Sequence, residues 1–193
     1  MSAFEFLSVL ISVVVGLGIA HLLTGIGRLL HRRGEIRLSG IHLAWTLWVF
    51  LFMVIYWWTA VFGYQEWQHW NIVLFLFILA YGVLLFLLCV ILYPADVPES
   101  WDMHEHFMSM RRWFFGIFVL TIIMEFGDTY LKDHFDDLGT LYVLLVGSWI
   151  ALAVLGWIST NRRTQAFIVA YHLVTLLAWV GYRLRDLEWS IAA

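Results

Sequence analysis

Six apolar runs, each long enough to cross a lipid bilayer, constrain this 193-residue chain more than any other feature. A helix rises 1.5 Å per residue, so about 20 apolar residues cross a hydrocarbon core of roughly 30 Å. Apolar residues make up 63% of the chain and charged residues 13%, and the apolar share is well above the roughly 45–50% of soluble domains. The runs are Phe4–Ile26, Ile41–Phe62, Ile72–Tyr93, Trp113–Tyr130, Leu138–Ser159 and Ala166–Tyr182. The sequence predicts an all-α polytopic membrane protein, a compact six-helix transmembrane bundle that forms one domain over residues 1–193.

The lipid bilayer is therefore the first expected partner, and nucleic acid is not expected. The net charge of −3 provides no basic surface large enough to neutralise a run of phosphates. The single cysteine, Cys89, lies in an apolar run and cannot form an internal disulfide or a thiolate metal cluster. The first run lacks a preceding basic residue and is too long for a signal peptide, so we expect it in the mature chain.

The distribution of lysine and arginine predicts the orientation, because short loops rich in these residues stay in the cytoplasm. One side carries Arg28, Arg32, Arg33, Arg37, Arg111, Arg112, Arg162 and Arg163, and the other carries Lys132, Arg183 and Arg185. We therefore expect both termini on the outer, periplasmic side. Compact loops and the lack of a glycosylation signal favour a bacterial inner membrane.

Small residues recur every four positions along the first run, and such a stripe lets transmembrane helices approach closely. The stripe consists of Ser8, Ser12, Gly16, Ala20 and Thr24. This pattern predicts a first helix at the centre of the bundle that packs through the stripe. The third run is almost wholly apolar, which predicts a helix at the rim, facing lipid, a second copy of the chain or a larger membrane complex.

The segment from Glu99 to Met110 mixes apolar, acidic and histidine residues, which suits either an interfacial helix or a solvated loop. His104 and His106 lie two residues apart, and such residues point away from each other on a helix. We therefore do not expect them to share a metal.

Three histidines lie within apolar runs at a similar depth from the cytoplasmic arginines. They are His21, His42 and His172, at roughly 7–14 Å from those arginines by helical rise. Convergent imidazoles could ligate haem b, hold zinc or copper, or relay protons. The alternative is that each imidazole bonds a backbone carbonyl or a nearby hydroxyl.

Glu125 and Asp128 lie three residues apart on one face of the fourth run. A carboxylate within a membrane span should be neutral or paired, which makes it a functional candidate. Arg183, at the outer end of the sixth run, is the expected partner of Glu125. The pair would either hold two helices together or form a binding site for a proton or cation.

The sequence lacks a nucleophile elbow, a phosphate-binding glycine loop and a zinc-protease helix, so it has no motif of a soluble-type enzyme. We therefore consider three hypotheses for the function. The first is a non-enzymatic membrane protein that binds or conducts a proton, cation or small ligand through its polar interior. The second is a redox subunit with haem b and with a quinone or other apolar ligand at the aromatic outer rim. The third is an accessory or scaffold subunit of a larger complex or homo-oligomer.

Overall fold

The computed structural model describes residues 3–32, 34–65, 67, 70–94, 100–132 and 135–183, without the side chains of residues 3, 135–138 and 183. The helices are α1 (Ala3–His31), α2 (Gly40–Gly63), α3 (Ile72–Leu92), α4 (Met103–Leu131), α5 (Phe135–Ile158) and α6 (Arg162–Arg183). Two short strands, β1 (Ile36–Arg37) and β2 (Trp101–Asp102), complete the described elements. Six helices are long and apolar enough to span a membrane, which confirms that part of the prediction.

Polar side chains immediately before α2, α3 and α4 explain where these helices begin. Ser39 Oγ accepts a hydrogen bond from the His42 amide, and Asn71 Oδ1 accepts one from Leu74. Asp102 accepts from the amides of His104 and Glu105. Each oxygen satisfies a first-turn N–H group that has no partner within the helix.

α4 begins ten residues before the predicted start of the fourth run. Residues 103–110 continue directly into the membrane-length part of α4, so neither the separate interfacial helix nor the loop forms there. No proline or glycine interrupts the chain between Met103 and Trp113, and the Asp102 cap sets the start at Met103.

α2, rather than α1, contacts the largest number of other helices, so the expected central position of the first helix is wrong. α2 packs against α1, α3, α4 and α6, whereas α1 packs mainly against α2 and α3. α3 also lies against three helices, α1, α2 and α4, and is not confined to the rim. Large aromatic residues explain the position of α2, because Trp45, Trp48 and Tyr56 bury their rings between neighbouring helices.

The small-residue stripe of α1 lies mostly on its exposed side. Ser12, Gly16, Ala20 and Thr24 are exposed, and Ser8 is half-buried. Larger aliphatic side chains form the buried face instead, because they remove more apolar surface: Leu7, Ile11, Val15, Leu22 and Leu29.

The close approaches of α1 occur at two glycines beside the stripe. A methyl group at Gly18 would collide with Met53 of α2, and one at Gly25 would collide with the Tyr93 ring. The Tyr93 ring makes glycine necessary at position 25, whereas the flexible end of Met53 could move to admit a methyl group at position 18.

The two short strands join the chain segments at one end of the molecule. β1 pairs in parallel with β2, with Ile36 opposite Trp101 and Arg37 opposite Asp102. This end holds the α1–α2, α3–α4 and α5–α6 connections together with most arginines, and we call it the basic end. The pairing places the start of α4 beside the ends of α1 and α3.

Candidate functional site

Three histidines from three helices converge on the carboxyl end of α3. His21 Nε2 of α1 donates to the Tyr93 carbonyl (2.8 Å), and His42 Nε2 of α2 donates to the Leu92 carbonyl (2.7 Å). His106 Nε2 of α4 donates to the Ile91 carbonyl (3.0 Å). A carbonyl oxygen only accepts, so each imidazole carries its proton on Nε2. We call these three residues the histidine cap.

The histidine cap satisfies carbonyl groups that an α-helix leaves without partners in its last turn. Such carbonyls are costly away from water, and few donors are available within a membrane. Thr46 and the Tyr93 hydroxyl lie 3.2 Å apart beside the His42 ring, which packs edge-on against Tyr93. The cap therefore joins α1, α2 and α4 to the same end of α3.

The predicted histidine group is only partly brought together. His21 and His42 donate to the adjacent carbonyls of Tyr93 and Leu92, but His172 lies elsewhere and His106 takes the third position. Sequence reasoning missed His106 because it assigned residue 106 to a separate segment instead of to α4. The missing signal was the uninterrupted helical pattern from Met103 onward.

His172 lies in a box of aromatic rings between α2, α4, α5 and α6. The ring centroids lie 5.1–6.4 Å from the imidazole and belong to Trp45, Trp48, Phe118, Trp149 and Tyr171. Its Nδ1 donates to the Ile168 carbonyl at 2.7 Å. Its Nε2 is buried and makes no hydrogen bond to the described residues. The same is true of the indole nitrogens of Trp45 and Trp48.

In this conformation, the Nε2 atoms of the three predicted histidines are not open to a haem iron. The Nε2 atoms of His21 and His42 already donate to backbone carbonyls, and aromatic rings enclose His172. Across the residues that the structure describes, no group of three or more His, Cys, Asp or Glu side chains could hold a metal ion.

A second polar group lies between the middle of α3 and the last turns of α4, away from the basic end. The Tyr81 hydroxyl donates to Glu125 Oε2 at 2.6 Å, and the Tyr64 hydroxyl donates to Asp128 Oδ1 at 2.7 Å. Lys132 Nζ lies 2.5 Å from Asp128 Oδ2. We call Tyr64, Tyr81, Glu125, Asp128 and Lys132 the carboxylate cluster.

The two carboxylates of this cluster have different surroundings. The side chains of Asp128 and Lys132 are only 5% and 6% exposed, and they form a buried ion pair. The Lys132 ammonium also donates to the Thr59 carbonyl and lies 4.6 Å from the centre of the Tyr64 ring. Glu125 is half-buried, and among the described side chains no basic nitrogen lies within 4.0 Å of it.

The expected partner of Glu125, Arg183, ends α6, but its side chain lies outside the described residues. Sequence reasoning missed Lys132 as the partner of Asp128, although the two are four residues apart and therefore lie on one helix face. It also missed Tyr64, at the end of α2, and Tyr81, in α3. No spacing within the sequence links these tyrosines to residues 125 and 128.

An open groove lies between α1 and α2. The groove has a volume of about 410 Å³ and is lined by Ser8, Val9, Ser12, Val13, Trp57 and Val61. Trp57 Nε1 donates to Ser12 Oγ at 2.9 Å, and both serine hydroxyls donate to α1 carbonyls. The polar donors of the groove are therefore already used within the protein.

Asp102, immediately before α4, has a lowered pKa with a clear structural cause. Its carboxylate accepts hydrogen bonds from the Glu105 and His104 amides, which lowers its pKa below the ordinary value of 3.8. Arg37, with Nη1 3.9 Å from Asp102 Oδ2, acts in the same direction. Asp102 is therefore ionised at neutral pH and holds the start of α4.

Comparisons of the chain with protein-family models, with curated proteins and with solved structures find no match.

Proposed function

We propose that this chain is a non-enzymatic integral membrane protein, a single domain that binds a proton or small cation at the carboxylate cluster and moves it across the membrane. The observation that carries this proposal is the 2.6 Å hydrogen bond between Tyr81 and the half-buried Glu125. A neutral hydroxyl stabilises a carboxylate less than a cation does, so Glu125 can change its protonation without breaking an ion pair.

The neighbouring ion pair supports the same assignment. Asp128, one helical turn from Glu125, is already matched by Lys132. The cluster therefore holds one carboxylate with a fixed partner and one without a cation among the described side chains. Asp128 is therefore a structural acid, whereas Glu125 is available to take up and release a proton. This arrangement favours a proton over a larger ligand.

The histidine cap is the corresponding polar group toward the basic end. Tyr81 and Leu92 are eleven residues apart on α3, which is roughly 17 Å of helix. Leu85, Leu88 and Cys89 are buried between them. Because this stretch is apolar, a continuous chain of hydrogen bonds is not favoured. A proton or cation would instead cross when the helices change between two conformations.

The test is proton flux into proteoliposomes driven by a pH gradient. We expect Glu125→Gln to lower the flux at least about tenfold, because the amide cannot take up a proton. The matched control is Glu105→Gln, which removes an exposed carboxylate from the same helix and should leave the flux unchanged. Equal flux in the parent and in Glu125→Gln would overturn the proposal.

A second candidate is an accessory or scaffold subunit in a larger membrane complex or homo-oligomer. The histidine cap favours it, because all three imidazoles are used in holding helices together. In that case neither the parent nor any variant carries flux above empty liposomes. The proposal does not include haem b or a quinone. The Nε2 atoms of His21 and His42 already donate to backbone carbonyls, and the polar donors of the groove beside Trp57 are bonded within the protein.

The expected membrane and orientation belong to the same proposal. The basic end would face the cytoplasm of a bacterial inner membrane, with the carboxylate cluster and both termini toward the periplasm. Protons would then reach Glu125 from the outer side, past the aromatic residues Trp67 and Trp70 that pack against Tyr64.

A further inference from the structure

The basic end carries two groups of arginines that differ in what they contact. In the first group, Arg28 donates to the Pro94 carbonyl, Arg32 pairs with Glu35 and Arg37 faces Asp102. The second group consists of Arg112, Arg162 and Arg163, all of them exposed. Within the described part of the chain, their guanidinium groups have no hydrogen bond or ion pair.

Close helix contacts bring the second group to one corner. A methyl group at Gly156 of α5 would collide with Phe115 of α4, and one at Gly116 would touch Trp157. Arg112 lies three residues before Phe115, on the same face of α4, about 4.5 Å along the helix. The part of α4 around Arg112 therefore faces the end of α5.

The start of α6 is held at the same corner by a buried glutamine. Gln165 Nε2 donates to the carbonyls of Gly156 and Ser159, both at 2.8 Å, and so satisfies the last turn of α5. Asn161 Oδ1 accepts from the Arg163 amide at 2.9 Å and caps α6. These bonds fix the turn that carries Arg162 and Arg163 against α5.

Large apolar side chains are exposed beside these arginines. Trp113 is 70% exposed, Trp157 42% and Ile158 73%. The corner thus presents three guanidinium groups next to a surface that suits hydrocarbon chains. A free phosphate ion would use the charges but leave the apolar surface uncovered.

We propose that Arg112, Arg162 and Arg163 bind the phosphodiester head group of an anionic membrane lipid, whose acyl chains lie on Trp113, Trp157 and Ile158. Arginine suits this ligand because its planar guanidinium donates two parallel hydrogen bonds to phosphate oxygens. Basic surfaces between transmembrane helices attract anionic lipids in general. Arg28 and Arg32 already donate to protein acceptors and Arg37 lies 3.9 Å from a carboxylate oxygen, which makes this corner the preferred site.

The test is a lipid titration of the full-length protein in detergent, followed by native mass spectrometry. The probes are phosphatidylglycerol and phosphatidylcholine with identical acyl chains. We expect phosphatidylglycerol to bind more tightly to the parent, and R162Q/R163Q to weaken its binding about tenfold or more. The matched control is R32Q/R37Q, which removes the same charge at the same end and should change the affinity less than about twofold.

Arg112→Gln provides an independent variant, because it alters α4 and leaves the α5–α6 turn intact. We expect it to weaken phosphatidylglycerol binding about threefold. Equal weakening by the two double variants would overturn the proposal, since it would indicate general charge attraction. Equal binding of the two lipids, or displacement of phosphatidylglycerol by comparable concentrations of inorganic phosphate, would also overturn it.

Discussion

The histidine cap lies at the end of α3 and the carboxylate cluster beside the middle of α3, and the two groups use their polar side chains in opposite ways. In the cluster, side chains bond to side chains: Tyr81 to Glu125, and Tyr64 and Lys132 to Asp128. In the cap, side chains bond to backbone carbonyls. A side-chain bond can be exchanged during function, whereas a carbonyl in a helix's last turn needs its donor permanently.

The comparison also shows why titratable residues in apolar helices are ambiguous. His42 is fully buried, yet its position is explained by the Leu92 carbonyl. Glu125 is less buried, yet it accepts a hydrogen bond from the Tyr81 hydroxyl and has no cation within 4.0 Å among the described side chains. The bonding partner therefore indicates function better than depth does.

The largest expected effect comes from breaking the buried ion pair. Lys132→Met should lower the free energy of unfolding by about 3–5 kcal/mol, because it leaves Asp128 buried without its cation. Denaturant unfolding in detergent would measure the loss. The double variant Asp128→Asn/Lys132→Met should recover a large part of it, because no buried charge remains. A loss below about 1 kcal/mol in the single variant would show that the pair is effectively solvated.

A smaller effect is expected at the histidine cap. His42→Ala should lower the free energy of unfolding by about 2–4 kcal/mol, because it opens a cavity and leaves the Leu92 carbonyl without a donor. His21→Ala should lower it by about 1 kcal/mol, since His21 is only half-buried. The same unfolding experiment ranks the two variants. Any proton flux should persist in His21→Ala, and its loss there would mean that the cap takes part in transport.

The smallest effect concerns the start of α4 and depends on pH. The folded-state pKa of Asp102 is lowered, so its stabilising effect is present above the ordinary pKa of 3.8 and disappears as the pH falls through the folded value. Asp102→Asn should lower the melting temperature slightly at pH 7 and keep that difference down to about pH 4. The difference should shrink only below pH 3.8. A difference that vanishes between pH 5 and 7 would point to another group.

The membrane-length helices could be predicted from the sequence because apolar length is a local property. The predicted starts of α2 and α3 lie within one residue of the structure, where Ser39 and Asn71 provide caps. α4 differed because its first ten residues are polar enough to be taken for a separate segment. Helix continuity there follows from the lack of a breaking residue, not from hydropathy.

Neighbour relations could be predicted much less well. The regular stripe on α1 indicated close packing, but the close approaches occur at Gly18 and Gly25, opposite Met53 and Tyr93. The histidine cap depends on backbone carbonyls, which every residue has and which therefore leave no trace in the sequence. Tyr64 and Tyr81 reach the carboxylates only through the fold.

The histidine cap also imposes an order on biogenesis. α3 leaves the ribosome with α1 and α2 already made, so His21 and His42 can reach Tyr93 and Leu92 as soon as α3 packs beside those two helices. The Ile91 oxygen receives its donor only after residue 106 has been synthesised. A nascent chain halted between these two points would lack one of the three donors at the end of α3. Synthesis of residue 106 supplies that donor and joins α4 to α3.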